Sequence, residues 1–296
     1  MSYAGWILLT ASLVGLSCGL VGVLLILRRM AMMADAISHT VLLGIVTAYL
    51  VTRELSGMHM LAGAAAAGLL TAMLVQWLHS RGVQQEASIG IVFTTLFAIG
   101  VVLIATKAGN VHLDVQHALM GEITFIPWEI VELPWVGAVP EAVFTLSLVL
   151  LLEVLVILLF YKEWKITSFD PGLAASLGIP VVFMHYVFMT MISATAVASF
   201  DAVGAIMVVA MLITPAAAAY LWTDRLSVMM GLSCLFGVLS AFAGYYLAVW
   251  LDTSISGSMA FCTGMVFLLS FIGSPKHGML SRRLRPRGSG AASGTV

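Results

Sequence analysis

Charge is what this sequence has least of. Only 9% of its 296 residues are Asp, Glu, Lys or Arg, against 61% hydrophobic, and its mean hydropathy is +1.08. A soluble domain carries about 25% charged and about 45–50% apolar residues, so a water-soluble globule is excluded. Cysteine is also scarce. Cys18, Cys234 and Cys262 lie far apart, each within an apolar run, which argues against a disulfide framework and a cysteine-based zinc site. No G-x-x-x-x-G-K-[ST] occurs, so the chain has no P-loop of its own. H-E-x-x-H is missing as well, and no membrane Ser/His or paired-Asp arrangement stands out, which disfavours a membrane-embedded enzyme. The 18 methionines are scattered and form no stripe of copper ligands. The N-terminus lacks a cationic stretch and a cleavage site, so the first apolar run is expected to be a retained span. No soluble domain and no internal repeat stands out.

What is present is a series of apolar runs near 20 residues, the length of a helical span and not of a ten-residue alternating strand. The expected fold is an all-α membrane protein. Nine spans are expected at 5–27, 31–51, 59–78, 88–105, 142–160, 181–198, 203–221, 226–251 and 258–272, or eight if one run around 180–222 is re-entrant. With the N-terminus outside, the inner segments hold Arg28, Arg29, Arg81, Lys162, Lys165, Arg225, Lys276, Arg282, Arg283, Arg285 and Arg287, which is 11 of the 13 Lys and Arg. Only Arg53 and Lys107 fall outside, so the charge bias supports nine alternating spans with the C-terminus inside. Residues 1–278 read as one polytopic domain and 279–296 as a basic, disordered cytoplasmic tail. The least apolar stretch, 106–140, falls on the outer side. A short surface helix is expected around 115–125, followed by an irregular stretch broken by Pro127, Pro134 and Pro140.

One stretch organises the chain: Met32-Met33-Ala34-Asp35-Ala36-Ile37-Ser38-His39-Thr40. Asp35 and His39 stand four residues apart, so on a helix they share a face. Ionisable groups at membrane depth are costly and by default mark an ion or proton path. Carboxylate with imidazole suits Mn²⁺, Zn²⁺ or Fe²⁺. Two ligands hold a metal loosely, and a second copy across a two-fold axis would complete an Asp2His2 set. The bland alternative is a structural pair that packs this helix on its neighbours. A second candidate is the outer cluster His112, Asp114 and His117, with metal-ligand residue types near Glu122. A third is Phe169-Asp170-Pro171-Gly172-Leu173-Ala174, a short helix with Asp170 as N-cap, Pro171 at N1 and Gly178 as its stop. It reads as a docking element or as a plain helical turn between spans. Glu153 is expected to face the bundle or a partner subunit, in an interhelical hydrogen bond and protonated. Asp201, between the sixth and seventh spans, is expected near the outer surface as a cap or gate, and His185 as a satisfied core histidine.

Four segments in order resemble the permease subunits of bacterial ABC importers for manganese, zinc and iron. They are Arg28-Arg29-Met30 through His39-Thr40, Phe169-Asp170-Pro171-Gly172-Leu173-Ala174 closing at Leu177-Gly178, Val203-Gly204-Ala205 through Thr214-Pro215-Ala216, and Ser274-Pro275-Lys276-His277-Gly278. The resemblance covers nearly the whole chain. It implies the type II ABC importer permease fold in the bacterial cytoplasmic membrane. Two permease chains, identical or paralogous, would work with two ATPase chains and an extracytoplasmic metal-binding protein. It further implies Asp35 and His39 as pathway ligands and 169–178 as the segment coupled to the ATPase, through Phe169, Asp170, Pro171, Ala174 and Gly178. ATP hydrolysis would then sit on a separate subunit, the divalent metal would be cargo rather than a resident cofactor, and nucleic acid would have no part. Two rivals remain at this point: a proton-coupled secondary transporter with Asp35/His39 as relay, and a permease for a metal chelate.

Overall fold

The computed structural model describes residues 3–52, 57–107, 123–128, 130–133 and 137–274. Eleven helices and one hairpin lie among them. The long helices come first: α1 (Tyr3–Leu27), α2 (Ala31–Thr52), α3 (Gly57–Ser80) and α4 (Gln85–Lys107). A 3-10 turn, Ile126–Trp128, leads to the antiparallel pair β1 (Ile130–Leu133) and β2 (Gly137–Pro140), with Ile130 opposite Pro140 and Val131 opposite Val139. Then follow α5 (Glu141–Leu159), the short α6 (Tyr161–Phe169) and α7 (Pro171–Ser176), α8 (Val181–Val203), α9 (Ala205–Trp222), α10 (Leu226–Leu251) and α11 (Ile255–Gly273). Among the described residues, nine helices are long and apolar enough to cross a membrane. Both runs around 180–222 are full helices, so the nine-span reading holds and the re-entrant one does not.

Two expectations need correction. The break between the sixth and seventh spans is at Gly204, not at residues 199–201. Nothing in Ser199-Phe200-Asp201 stops a helix, whereas Gly204 has φ 80, a left-handed conformation that glycine takes without steric cost. Ser199 is polar for another reason: its hydroxyl lies 3.6 Å from the Cys18 thiol of α1 in the core. Asp201 is therefore an exposed residue within α8 and does not cap α9. The second correction concerns the described parts of 126–140: 126–128 form a 3-10 turn, and 130–133 and 137–140 pair as strands. Ile130 and Val131 favour an extended backbone, and Pro140 sits at the strand end, where a missing N–H is tolerated. The fifth span ends within a residue of its expected end, at Leu159. The chain turns at Phe160 and continues as α6, whose Trp164 is fully buried. The expected surface helix at 115–125 lies outside the described residues except for 123–125, which form a turn. The tail from 279 onwards also lies outside them.

The helices fall into two packed groups. α1 packs on α9, α10 and α5, and α11 closes on α9 and α10. α2 packs on α3 and α4. α8 touches α1, α2, α3 and α5 and so joins the groups. Lipid offers no hydrophobic drive for helix association, so contact depends on small residues and on hydrogen bonds between helices. Ser233 of α10 donates to the Gly19 carbonyl of α1 at 2.9 Å, and Thr71 of α3 donates to Thr40 of α2 at 2.8 Å. Conversely, α5 turns Leu151, Leu155, Leu158 and Leu159 outward, as a lipid-facing helix does.

The tightest approach that bears on α2 is at Gly44. A Cβ there would lie 2.7 Å from Ala64 Cα of α3 and would also strike the Gly63 carbonyl. Backbone meets backbone at this crossing. Gly44→Leu is expected to destabilise the fold by about 3 kcal/mol, as overpacking does in its severe form. A fall in thermal unfolding temperature of the detergent-solubilised chain would report it. A Gly44→Leu variant that melts with wild type would mean the crossing is looser than described.

Candidate functional site

Asp35 lies one turn into α2, about 6 Å along the axis from Ala31, and His39 lies one turn further. Their side chains meet as their spacing requires, with His39 Nε2 3.5 Å from Asp35 Oδ1. That is an ion-pair distance and too long for a strong hydrogen bond. The two side chains are 34% and 36% exposed, between core and surface.

The His39 ring is held from one side. Phe93 of α4 stacks on it, with centroids 5.7 Å apart and planes at 30°, and Phe97 meets it edge-on at 5.7 Å. The two phenylalanines, one turn apart on α4, fix the ring plane while its nitrogens stay free of them. The sequence reading missed Phe93 and Phe97. Their i, i+4 spacing looked like ordinary apolar periodicity.

The face that carries the pair continues along α2. Met32 is exposed, and Thr47 and Val51 follow at helical spacing beyond His39, with Leu43 between them. Leu43, Thr47, Ala48 and Val51 line a groove with Ala62, Gly63 and Ala66 of α3, and His59 stands in the same groove. α2 thus presents a strip running from Met32 through the Asp35/His39 pair to an open groove. Among the described residues no three His, Cys, Asp or Glu come together as a metal site. The outer cluster His112, Asp114 and His117 lies outside the described residues, as does Glu122.

The short helix α7 has the expected construction. Asp170 Oδ1 accepts from the Leu173 amide at 2.9 Å, and Pro171 occupies the first turn. At the other end the Gly178 amide donates to Ala175 O at 3.1 Å and the Ile179 amide to Ala174 O at 3.0 Å. That paired closure needs a left-handed residue, and Gly178 has φ 79. Ala174 is buried, whereas Phe169, Leu173 and Leu177 are exposed, so α7 and its flanks show three large apolar side chains outward. Asp170→Ala is expected to weaken this helix by about 1 kcal/mol, with Asp170→Ser retaining most of the cap. Amide exchange over residues 171–176 should then quicken about fivefold in the alanine variant only. An unchanged rate would show that the cap contributes nothing.

A contact the sequence did not reveal joins this region to α2. Arg28, in the turn between α1 and α2, donates from Nη2 to Thr167 Oγ1 at 3.0 Å and from Nε to Ser168 Oγ at 3.4 Å. Its guanidinium carbon lies 4.7 Å from the Phe188 ring centre and 5.3 Å from that of Trp164. Burial pushes the guanidinium down to about 10, so it stays charged at neutral pH. Arg28 therefore fastens α6, which leads directly into α7, to the start of α2. In sequence it was one of two adjacent arginines at a span end, with nothing to mark it as buried.

Two further residues have partners in the bundle. Glu153 of α5 is buried and hydrogen-bonds with Thr195 of α8, as expected for an interhelical bond. Thr195 Oγ1 also lies 2.7 Å from Met191 O. A hydroxyl has one proton to give, so both contacts are made only if the carboxyl supplies the other. His185 of α8 differs from the expected satisfied core histidine: its Nε2 is buried and has no hydrogen-bond partner among the described residues.

Comparison with known proteins fits this architecture. The manganese transport system membrane protein MntD of Bacillus subtilis (strain 168) is 58% identical over 285 residues, 96% of this chain and 97% of that one. The zinc transport system membrane protein TroD of Treponema pallidum (strain Nichols) is 42% identical over 94% of this chain and 76% of its own length. Among solved structures, PsaBC from Streptococcus pneumoniae in complex with Fab superposes with a TM-score of 0.78 at 32% identity, covering 96% of both chains. The sequence profile of the ABC 3 transport family matches residues 2–274. With nine apolar spanning helices, no P-loop and this profile over almost its whole length, the chain belongs to the ABC 3 transport family, as a membrane-spanning permease subunit.

Proposed function

We propose that this permease carries a divalent transition-metal ion inward across the bacterial cytoplasmic membrane, driven by ATP hydrolysis on separate ATPase chains. The observation that carries the reading is the Asp35/His39 pair on the open face of α2, one half of a four-ligand set. A second permease chain facing it across a two-fold axis supplies the other half. Carboxylate and imidazole bind Mn²⁺ and Zn²⁺ well enough to receive the ion and loosely enough to pass it on. The higher identity to a manganese protein than to a zinc protein favours manganese as cargo.

An extracytoplasmic binding protein delivers the ion to the outer end of the α2–α3 groove. The N-terminus lies outside and the tail 279–296 inside, as the arginine and lysine distribution favours. Residues 169–178 dock on the ATPase through Phe169, Leu173 and Leu177, held in place by the Asp170 cap and the Gly178 stop. Residues 1–278 form the transport unit. Coupling needs an element with two states that ATP and the loaded binding protein both bias. α6–α7, fastened to α2 by Arg28, is that element.

The test is ⁵⁴Mn uptake into proteoliposomes holding this chain, its ATPase and the loaded binding protein. Uptake is expected only with internal ATP and all components. Uptake driven by a pH gradient without ATP or ATPase would replace this reading with a secondary transporter.

A further inference from the structure

One cavity among the described residues lies apart from Asp35 and His39. It measures about 870 Å³ and lies where the α1–α2 turn, the end of α3 and the α6–α7 segment meet. Arg28, Arg29, His79 and His185 line it, with the amides of Gln76 and Gln85 and the hydroxyls of Thr167 and Ser168. No aspartate or glutamate does. A cavity with two guanidiniums, two imidazoles and no counter-charge is unusual in a chain with only 9% charged residues.

Three features make it more than a chance gathering of basic groups. First, the basic groups come from three separate parts of the chain, the α1–α2 turn, the end of α3 and α8, and converge on one space. Second, hydrogen-bonding groups are left over. His185 Nε2 is buried without a partner, and Arg28 uses only Nε and Nη2 on Thr167 and Ser168. Third, the turn that carries the arginines is strained. Arg29 has φ 59, which costs a side-chain-bearing residue about 1–2 kcal/mol. The remaining wall is apolar, with Ile26, Leu27, Val75 and Val181, and exposed Tyr220 borders it.

We propose that this cavity is a binding site for a phosphate group. Guanidinium and imidazole groups are the chemistry that recognises phosphate oxygens. The phosphate could come from an anionic phospholipid headgroup or from a soluble phosphate. The apolar wall favours the lipid, since basic pockets between spanning helices at the cytoplasmic side suit acidic headgroups. Phe169 and Pro171 belong to the same wall, so the ligand would brace the base of α7. Binding itself does not depend on the transport reading.

The experiment is native mass spectrometry of the full chain in detergent, with phosphatidylglycerol or phosphatidylcholine added. Arg29→Gln and His79→Gln are the test variants. Both residues are exposed at the rim, so the fold should tolerate them. Arg81→Gln is the control, an exposed arginine stacked on Trp77 outside the cavity. Wild type and Arg81→Gln should retain phosphatidylglycerol in preference to phosphatidylcholine. Each test variant should lose about fivefold in apparent affinity. Displacement of the lipid by millimolar inorganic phosphate would identify a soluble phosphate as a competent ligand. Its failure to displace would identify the lipid. Equal retention of both lipids, or equal losses in Arg29→Gln and Arg81→Gln, would overturn the proposal.

Discussion

Asp35→Ala and His39→Ala are each expected to cut ATP-dependent metal uptake by about a hundredfold or more. Losing a group that merely supports a metal ligand costs about 10–100-fold, and these residues are proposed as ligands themselves. In a two-fold pair of identical chains each substitution also removes two ligands at once. The complex should still assemble, because both side chains are about one-third exposed and His39→Ala gives up only the ring contacts with Phe93 and Phe97. Asp35→Glu and His39→Gln should fall between wild type and alanine. Phe93→Ala tests the support from α4, since it frees the His39 ring without touching a ligand. Uptake indifferent to both alanine substitutions would discard the site and leave the family membership intact.

Arg28→Ala is expected to separate ATP hydrolysis from transport. The substitution removes two charge-assisted hydrogen bonds and a cation over two aromatic faces. Summed with allowance for non-additivity, the loss is about 3 kcal/mol. It falls on the joint between α6–α7 and α2, where Arg28 covers the buried rings of Trp164 and Phe188. Uptake should therefore drop about tenfold or more, while the assembled complex goes on hydrolysing ATP. Arg28→Lys should restore charge but not the forked geometry, and so rescue only in part. Parallel loss of hydrolysis, uptake and thermal stability would mean that Arg28 is simply structural.

The sequence was most legible where one physical rule governed a segment. Membrane spans follow from hydropathy because lipid leaves the backbone no partner outside its own helix, and all nine were recognisable. The caps of α7 were equally plain, since Asp170, Pro171 and Gly178 each have a strong positional meaning. Span ends were less so. Ser199 and Asp201 look like loop residues, but Ser199 is polar towards α1 and the real break needs the dihedral freedom of Gly204. Asp35 and His39 stood out because charge is expensive in lipid. Phe93, Phe97 and Trp164 did not, because one more aromatic in an apolar run has no signature. Arg28 shows the limit clearly. Its neighbour Arg29 is exposed and Arg28 is not, and the difference comes from Trp164 and Phe188, over a hundred residues away in sequence.

The Gly44–Gly63 crossing has a mechanical consequence. Where helices meet through side chains, the rotamers between them can yield, and one helix slides past the other. At this point α2 and α3 touch through their main chains, with no such layer to slip. The crossing pins the two helices together, so they move as one lever about 33 Å long. A tilt of about ten degrees at one end would carry the other about 6 Å, while Asp35 and His39, both on α2, keep their spacing.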